Sequence, residues 1–326
     1  MSWADLLLAP GSAQERWKAI FDVVAETCCA AEQSDLEPWL DRGDHVLASA
    51  AWDLWQGYTA DAPKATDYLF DWWENPRGGA GRAVLILDSL SVREFRIVMH
   101  AAAERGETLR AALVRGAEAP TDTESFAHRL GLSQRSQLKG SKYPAGFRLT
   151  TEGLYTDVTD GFDFGQLVSW LPPSRDVVLW HPWPDDLIHA SADKSGAAKQ
   201  IASVARATLT SDGFWNLLEA LRQGRELLVM ADHGYAISQR FVDLSGSLAE
   251  GLREHFGASR CRTLSDVSTI RRLTLVGRQP VVATIDTRAA VIGPWKWKVQ
   301  GGFPHLTHGG LTLAEVCVPL MLFSAR

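Results

Sequence analysis

The sequence predicts an α/β protein in which helices flank an open, mostly parallel sheet, with a helical region ahead of it. Short apolar runs recur along the chain, and several end directly on an acidic residue or a histidine. Segments with helical apolar spacing and capping residues follow these runs. An uninterrupted apolar run is typical of a strand buried on both faces, as the strands of parallel sheets are.

The composition is that of an ordinary globular protein with enough residues for a large core. The 326 residues are 46% hydrophobic and 22% charged, and 33 basic against 39 acidic side chains give a net charge of −6. A protein that grips a long nucleic acid usually carries a basic face, and none is evident in this sequence. The charge balance therefore argues against binding of a long nucleic acid, but it is compatible with a small nucleotide substrate.

The sequence also predicts a cytoplasmic protein without a membrane anchor. The N-terminus lacks the basic segment of a signal peptide, and no apolar stretch approaches the roughly 20 residues of a membrane span. The four cysteines match no zinc-binding spacing and no disulfide framework. We expect them to be reduced thiols.

Residues 1–79 predict a helical N-terminal region. Ser12 and Glu15 form a capping box ahead of a helical apolar period, and two further helical stretches follow. Pro76 and the two glycines at 78–79 interrupt the pattern, so we place the start of a second domain, 80–326, after them. The region is rich in tryptophan, which we expect to form a packed helical layer; an aromatic box for a ligand is the alternative.

The second domain begins with strand and helix in alternation. Strands are predicted at 83–87, 111–114, 177–180, 227–231, 272–276, 281–285, 295–298 and 318–322. Ser91 and Glu94 form a capping box for the first helix, and other helices are predicted at 197–207, 213–222 and 244–256. The polar, glycine-rich stretch around 131–171 is long for a loop, so it predicts a cap or lid insertion.

Acidic and histidine side chains follow several of these runs and one glycine turn. They are Asp88, Asp185 with His189, Asp232 with His233, and His308. Ligand sites in open α/β sheets gather at the carboxyl ends of the strands, so we expect these side chains to meet there. Carboxylates and imidazoles without thiolates are typical of a catalytic zinc or manganese site.

The order of these segments resembles the alkaline phosphatase superfamily. The matching segments are Asp88, Pro120-Thr121-Asp122-Thr123, 185–189, Asp232-His233-Gly234 and Thr307-His308-Gly309-Gly310. Within that superfamily the closing phrase, 307–320, is similar to the PglZ domain, a family best known from bacterial phage defence. The resemblance covers roughly residues 81–323 and implies a three-layer α/β/α, doubly wound, alkaline phosphatase-like catalytic domain at 80–326. It leaves the N-terminal helices unexplained.

The resemblance implies two divalent metal ions, zinc or manganese, and a threonine nucleophile. One metal would be held by Asp88, Thr123, Asp232 and His233, and the other by Asp185, His189 and His308. Thr123 would be the nucleophile, because a bound dication stabilises an alkoxide at neutral pH.

Several neighbouring residues compete for these roles. Thr121 is the alternative nucleophile, Asp186 competes with Asp185, and His305 competes with His308. His181 is either a residue that orients a carboxylate or a histidine at a strand end. The basic cluster Lys139, Lys142 and Arg148 is either a phosphate clamp or a solvated charge cluster. We expect four other histidines to be uninvolved: His45, His100, His128 and His255.

These features together predict a metal-dependent phosphoester hydrolase. A phosphodiesterase acting on nucleotides or oligonucleotides, in phage defence or signalling, is the first hypothesis. A phosphomonoesterase or phosphomutase is the second. The third is a non-catalytic scaffold that binds partner proteins in a defence complex, although a degenerate site should lack some of the seven ligands.

Overall fold

The structure is a computed structural model, and it describes most of the chain. The residues outside the description are 1–2, 9, 31–32, 77–79, 160–162, 195, 265–267, 269, 271–272 and 274–278, together with the side chains of 4, 8 and 33–35. The strand expected at 272–276 lies almost wholly outside the described residues.

Thirteen helices run through the described part of the chain. They are α1 Trp3–Leu8, α2 Ala13–Ala30, α3 Gln33–Ala50, α4 Trp52–Asp61, α5 Ala65–Glu74, α6 Val92–Glu104, α7 Thr123–Arg129, α8 Phe164–Val168, α9 Asp185–Ser191, α10 Ala197–Leu209, α11 Asp212–Arg222, α12 Gly246–Phe256 and α13 Leu313–Val316. Two short 3-10 segments lie at Arg135–Ser141 and Ser238–Arg240. None of the described helices combines the length and apolar character that crossing a membrane requires.

The strands of the described residues belong to one large sheet and three small ones. They are β1 Gly81–Leu87, β2 Leu109–Gly116, β3 Tyr155–Val158, β4 Val177–His181, β5 Arg225–Met230, β6 Ala236–Ile237, β7 Val242–Asp243, β8 Cys261–Thr263, β9 Val282–Ile285, β10 Arg288–Val291, β11 Trp295–Lys296, β12 Leu306–Thr307 and β13 Cys317–Phe323.

The large sheet confirms the α/β class that the sequence predicts. Its order is β2-β13-β5-β1-β4-β3, and β1 pairs in parallel with both β5 and β4. The last strand, β13, enters antiparallel between β2 and β5. Strands β1, β4, β5 and β13 are almost wholly buried, as their apolar runs require.

The N-terminal helices pack on this sheet and share its hydrophobic core. Trp17 and Trp55 are buried with their ring centroids 4.9 Å apart, and both belong to the cluster that includes the sheet residues. The hydroxyl of Tyr58 donates to the carbonyl of Ala117, just beyond β2. The tryptophans therefore form the packed layer expected of them.

Residues 131–171 contribute to the large sheet. Their strand β3 pairs in parallel with β4 and forms the sheet edge. The 3-10 segment Arg135–Ser141 lies against β3, because the hydroxyl of Thr156 donates to the carbonyl of Leu138 over 2.7 Å. A cap or lid function for the rest of this stretch stays a prediction.

The strand expected at 295–298 is shorter than predicted. Pairing with β7 ends after Lys296, because only Trp295 and Lys296 lie opposite Val242 and Asp243. Trp297 is nevertheless buried and Lys298 exposed, so part of the expected alternation remains. The four cysteines are free thiols in the structure.

Candidate metal centre

Three neighbouring parallel strands bring the acidic residues to one edge of the large sheet. Asp88 follows β1 directly, Asp232 lies two residues beyond β5, and Asp185 begins α9 shortly after β4. The backbone N–H of Asp185 donates to the carbonyl of Asp88 over 3.2 Å, which joins two of these strand ends. The carboxyl ends of adjacent strands thus gather the three carboxylates, as an open α/β sheet does.

The first candidate ligand group consists of Asp88, Asp232 and His233, all buried, with ligand atoms within 4.8 Å of one another. His233 Nε2 lies 3.7 Å from Asp88 Oδ1 and 3.6 Å from Asp232 Oδ2. The Thr123 hydroxyl lies 3.3 Å from Asp88 Oδ1. All four residues assigned to the first metal therefore lie together.

The second candidate group consists of Asp185, His308 and, again, His233. His308 Nε2 lies 3.7 Å from Asp185 Oδ1, and His189 Nε2 lies 3.1 Å from Asp185 Oδ2 and 3.3 Å from His308 Nε2. The imidazoles of His233 and His308 stack with centroids 4.5 Å apart. The structure thus brings all seven predicted ligands together and puts His233 between the two groups.

Backbone carbonyls orient two of the imidazoles. His233 Nδ1 lies 3.0 Å from the carbonyl oxygen of Gly234, and His308 Nδ1 lies 3.3 Å from that of Thr121. A proton on Nδ1 can donate to a carbonyl, which leaves Nε2 with its lone pair for a metal. In both residues Nε2 is the atom that lies near the carboxylates.

The chemistry of the site fits divalent cations. Three buried atoms in it have no hydrogen-bond partner among the described residues: Asp185 Oδ1, Asp232 Oδ2 and His233 Nε2. Buried polar atoms are normally hydrogen-bonded, and a cation between these three ligand atoms would satisfy all of them. Carboxylate and imidazole donors suit zinc or manganese.

The pKa values show how strongly the carboxylates interact. Burial raises the pKa of Asp88 well above its usual value, and the charges of Asp232 and Asp185 raise it further. Burial would also raise the pKa of Asp185, but its hydrogen bond to His189 and the other two imidazoles lower it to about 2. A cation beside Asp88 would lower the pKa of that carboxyl and favour its ionised form.

The two threonines have different surroundings. Thr121 is buried, and its hydroxyl donates to the carbonyl of Gly310 over 2.8 Å while it accepts the N–H of Gly309 over 2.9 Å. Thr123 is the first residue of α7 and is partly exposed, and its hydroxyl contacts Asp88. Thr121 thus braces the His308 loop, whereas the Thr123 hydroxyl faces the candidate ligands.

The competing acid and histidines belong to neither candidate ligand group. Asp186 is exposed beside the buried Asp185. His305 Nδ1 lies 2.8 Å from Gln239 Nε2. His181 Nδ1 accepts the backbone N–H of Trp183 over 3.1 Å, and its ring stacks on Phe164. The four histidines expected to be uninvolved are exposed or half-exposed and belong to neither ligand group: His45, His100, His128 and His255.

The expected basic cluster does not assemble at the ligands. Lys139, Lys142 and Arg148 are all exposed, and the guanidinium of Arg148 lies 3.6 Å from the ring centroid of Phe70. Sequence reasoning missed Arg135 instead, whose Nη1 contacts Asp88 Oδ2. No local signal marks a single arginine in a polar stretch 47 positions from its partner.

Sequence reasoning also missed the support beneath the His308 loop. Glu315 accepts the backbone N–H of Gly310 over 3.0 Å and pairs with the buried Arg260. A Cβ at Gly310 would lie 2.4 Å from the Arg260 guanidinium, and Gly309 has φ +94°. Both glycines are therefore needed, one for the close approach and one for its left-handed backbone.

Comparisons with known proteins add remote structural likenesses only. No family model and no curated protein matches the sequence. Murine ectonucleotide pyrophosphatase/phosphodiesterase 5 is 15% identical over 75% of this chain and 88% of its own, with a TM-score of 0.48. Phosphonoacetate hydrolase from Sinorhizobium meliloti 1021, solved with phosphonoformate, is 12% identical over 77% of this chain and 91% of its own, with a TM-score of 0.45.

Proposed function

We propose that this protein is a metal-dependent phosphoester hydrolase, and specifically a phosphodiesterase acting on nucleotides or oligonucleotides. The observation that carries the proposal is the convergence of six carboxylate and imidazole ligands from separate parts of the chain, with the hydroxyl of Thr123 beside Asp88. A cluster of this kind, with a hydroxyl beside it, suits the in-line displacement that phosphoester hydrolysis requires.

Two divalent cations, zinc or manganese, would occupy the two groups. Asp88, Thr123, Asp232 and His233 would hold one cation, and the other ligands would be Asp185, His189 and His308. His233 belongs to both candidate groups, so the two cations would lie next to each other. Such a pair supplies positive charge that stabilises the attacking and leaving oxygens.

Thr123 would act as the nucleophile in the first of two displacements. Its Oγ attacks phosphorus and forms the P–O bond of a phosphothreonine, while the bond from phosphorus to the leaving alcohol breaks. The hydroxyl proton ends on the released alcohol. A water molecule then attacks the phosphothreonine, which releases the phosphate product and restores the hydroxyl.

The substrate class and setting rest on the sequence resemblance. The phrase 307–320 is similar to the PglZ domain, which favours a diester and a role in phage defence or signalling with partner proteins in the cytoplasm. A phosphomonoesterase or phosphomutase would use the same ligands. A scaffold without catalysis is disfavoured by the presence of all seven ligand side chains in one cluster.

Metal analysis and two chromogenic substrates test this proposal. The purified protein should bind about two zinc or manganese ions and hydrolyse bis-p-nitrophenyl phosphate faster than p-nitrophenyl phosphate. Thr123→Ala should lower kcat about a thousand-fold or more, as loss of a nucleophile does, whereas Thr123→Ser should retain part of it. If the protein bound no metal and Thr123→Ala behaved as the wild type does, the non-catalytic scaffold would be the correct function. Faster hydrolysis of the monoester would refute the phosphodiesterase.

A further inference from the structure

Arg135 is the basic residue that reaches the candidate metal centre. Its Nη1 contacts Oδ2 of Asp88, while Oδ1 of the same carboxylate lies near Thr123 and His233. The Thr123 hydroxyl lies 3.3 Å from Oδ1 and 3.5 Å from Oδ2, so Asp88 holds the guanidinium beside that hydroxyl. The Arg135 side chain is 30% exposed, so a ligand entering the site can reach it.

Hydrogen bonds to β3 fix the backbone that carries Arg135. Leu138, one turn later, is buried, and its carbonyl accepts the hydroxyl of Thr156 in β3. The N–H of Gly140 donates to Asp157 over 3.1 Å. Because β3 belongs to the large sheet, the position of the arginine is set by the same scaffold as the ligands.

The charge of Arg135 lies at the strand end where the two ligand groups meet. It lies against Asp88 of the first group, whose carboxylate is 3.3 Å from the Thr123 hydroxyl. The backbone carbonyl of the same Asp88 accepts the N–H of Asp185, a residue of the second group, over 3.2 Å. The guanidinium therefore lies beside the Thr123 hydroxyl, where a phosphoryl group would have to bind.

Two arginines of neighbouring segments pair with acids outside the ligand groups. Arg288 pairs with Asp122, and Arg260 pairs with Glu315. Within the part of the chain that the structure describes, Arg135 is the one lysine or arginine that forms an ion pair with a candidate ligand. An anionic substrate would meet this one guanidinium beside the nucleophile.

We propose that Arg135 binds the non-bridging phosphate oxygens of the substrate. This inference rests on the proposed function, because it assigns the phosphate-binding residue of the same site. A guanidinium offers five N–H donors in a planar fork that matches two phosphate oxygens. Among the described residues, the contact with Asp88 engages one terminal nitrogen and leaves the other donors for a ligand.

Calorimetric titration with inorganic phosphate and with AMP tests the assignment on protein loaded with zinc or manganese. Arg135→Gln should weaken the affinity for phosphate about ten- to one-hundred-fold, the range expected for one charge-assisted hydrogen bond. Arg135→Lys keeps the positive charge but lacks the planar pair of N–H donors, so its affinity for phosphate should be intermediate. Arg148→Gln removes an arginine of the same stretch that stacks on Phe70, and it should bind as the wild type does.

The outcomes separate this assignment from the proposed function. Wild-type affinity in Arg135→Gln, or no phosphate binding by the wild type, would overturn the role of Arg135. If Arg135→Gln lost affinity for phosphate while Arg148→Gln did not, and the wild type hydrolysed no phosphoester, Arg135 would bind anions in a protein that is not a hydrolase. Equal metal content and melting temperature in all variants exclude a folding defect, and Arg135→Lys provides the comparison if Arg135→Gln is unstable.

Discussion

Arg260 and Glu315 form a fully buried, bidentate ion pair beneath the loop that carries His308. Nε lies 2.8 Å from Oε1, and Nη2 lies 3.0 Å from Oε2. Glu315 also accepts the hydroxyl of Thr312 over 2.8 Å, and Arg260 donates to the carbonyl of Gly293 over 2.9 Å. The pair therefore joins the region of the three-stranded sheet to the last helix and supports a candidate metal ligand from below.

Removing one partner of this pair should destabilise the protein strongly. Glu315→Gln leaves the Arg260 guanidinium buried without its counter-charge, which costs about 3–5 kcal/mol. Urea denaturation measures the free energy of unfolding. Lys18→Gln is the matched control, because Lys18 and Asp22 form an exposed pair that contributes less than about 1 kcal/mol. Similar losses in both variants would contradict the supporting role of the buried pair.

The sequence predicts the parts of the site that are encoded locally. Asp88 and Asp232 follow uninterrupted apolar runs, and such a run specifies a buried strand and its carboxyl end. The glycines after His308 mark a tight backbone approach in the same local way. These signals lie within a few residues of the ligands, so they can be found without knowledge of the fold.

What the sequence does not predict depends on tertiary pairing. Strand direction is not encoded in an apolar run, so the antiparallel entry of β13 could not be expected. The four-residue strand β3 is too short and too polar to stand out inside 131–171. Arg135 and Arg260 reach their acidic partners across 47 and 55 positions, and only the fold brings them together.

The two threonines should separate stability from activity. Thr121→Val leaves the carbonyl of Gly310 without its hydroxyl donor and removes one of the two acceptors of the Gly309 N–H, which should cost about 1–3 kcal/mol. Thr121→Ser restores both hydrogen bonds and most of the stability. Thr123→Val should change stability by less than about 1 kcal/mol, because its hydroxyl makes only long contacts of 3.3 and 3.5 Å. Thermal melting and diester hydrolysis, measured on the same samples, check the separation. Full diester hydrolysis by Thr123→Val would show that Thr123 is not the nucleophile.

Chelation should distinguish Asp185 from its neighbour Asp186. A metal present at a hundred times its dissociation constant stabilises the fold by about 2.7 kcal/mol. EDTA should therefore lower the melting temperature of the wild type and of Asp186→Asn, because Asp186 is exposed. Asp185→Asn removes a ligand of the second group, so its metal content should fall and EDTA should shift its melting temperature less. An equal response of the two variants would exclude Asp185 as a ligand.

Lys64 should make the stability of the fold depend on pH. It lies buried at the start of α5, where its Nζ donates to the carbonyl of Tyr58 over 3.0 Å and lies 3.3 Å from the centroid of the tyrosine ring. Burial lowers the pKa of Lys64 to about 7, and the acidic charges of Glu118 and Asp67 only partly oppose it. The unfolded chain, with a lysine pKa of about 10.4, binds more protons between these values, so the free energy of unfolding rises with pH across that window.

The measurement is urea denaturation of the wild type and of Lys64→Met from pH 6 to pH 9. The unfolding free energy of the wild type, relative to Lys64→Met, should stay flat below pH 7. It should then increase by about 2 kcal/mol up to pH 9, since each pH unit contributes at most about 1.4 kcal/mol. Lys18→Gln, which removes an exposed lysine, should track the wild type throughout. A constant difference between wild type and Lys64→Met would mean that Lys64 keeps its usual pKa in the folded protein.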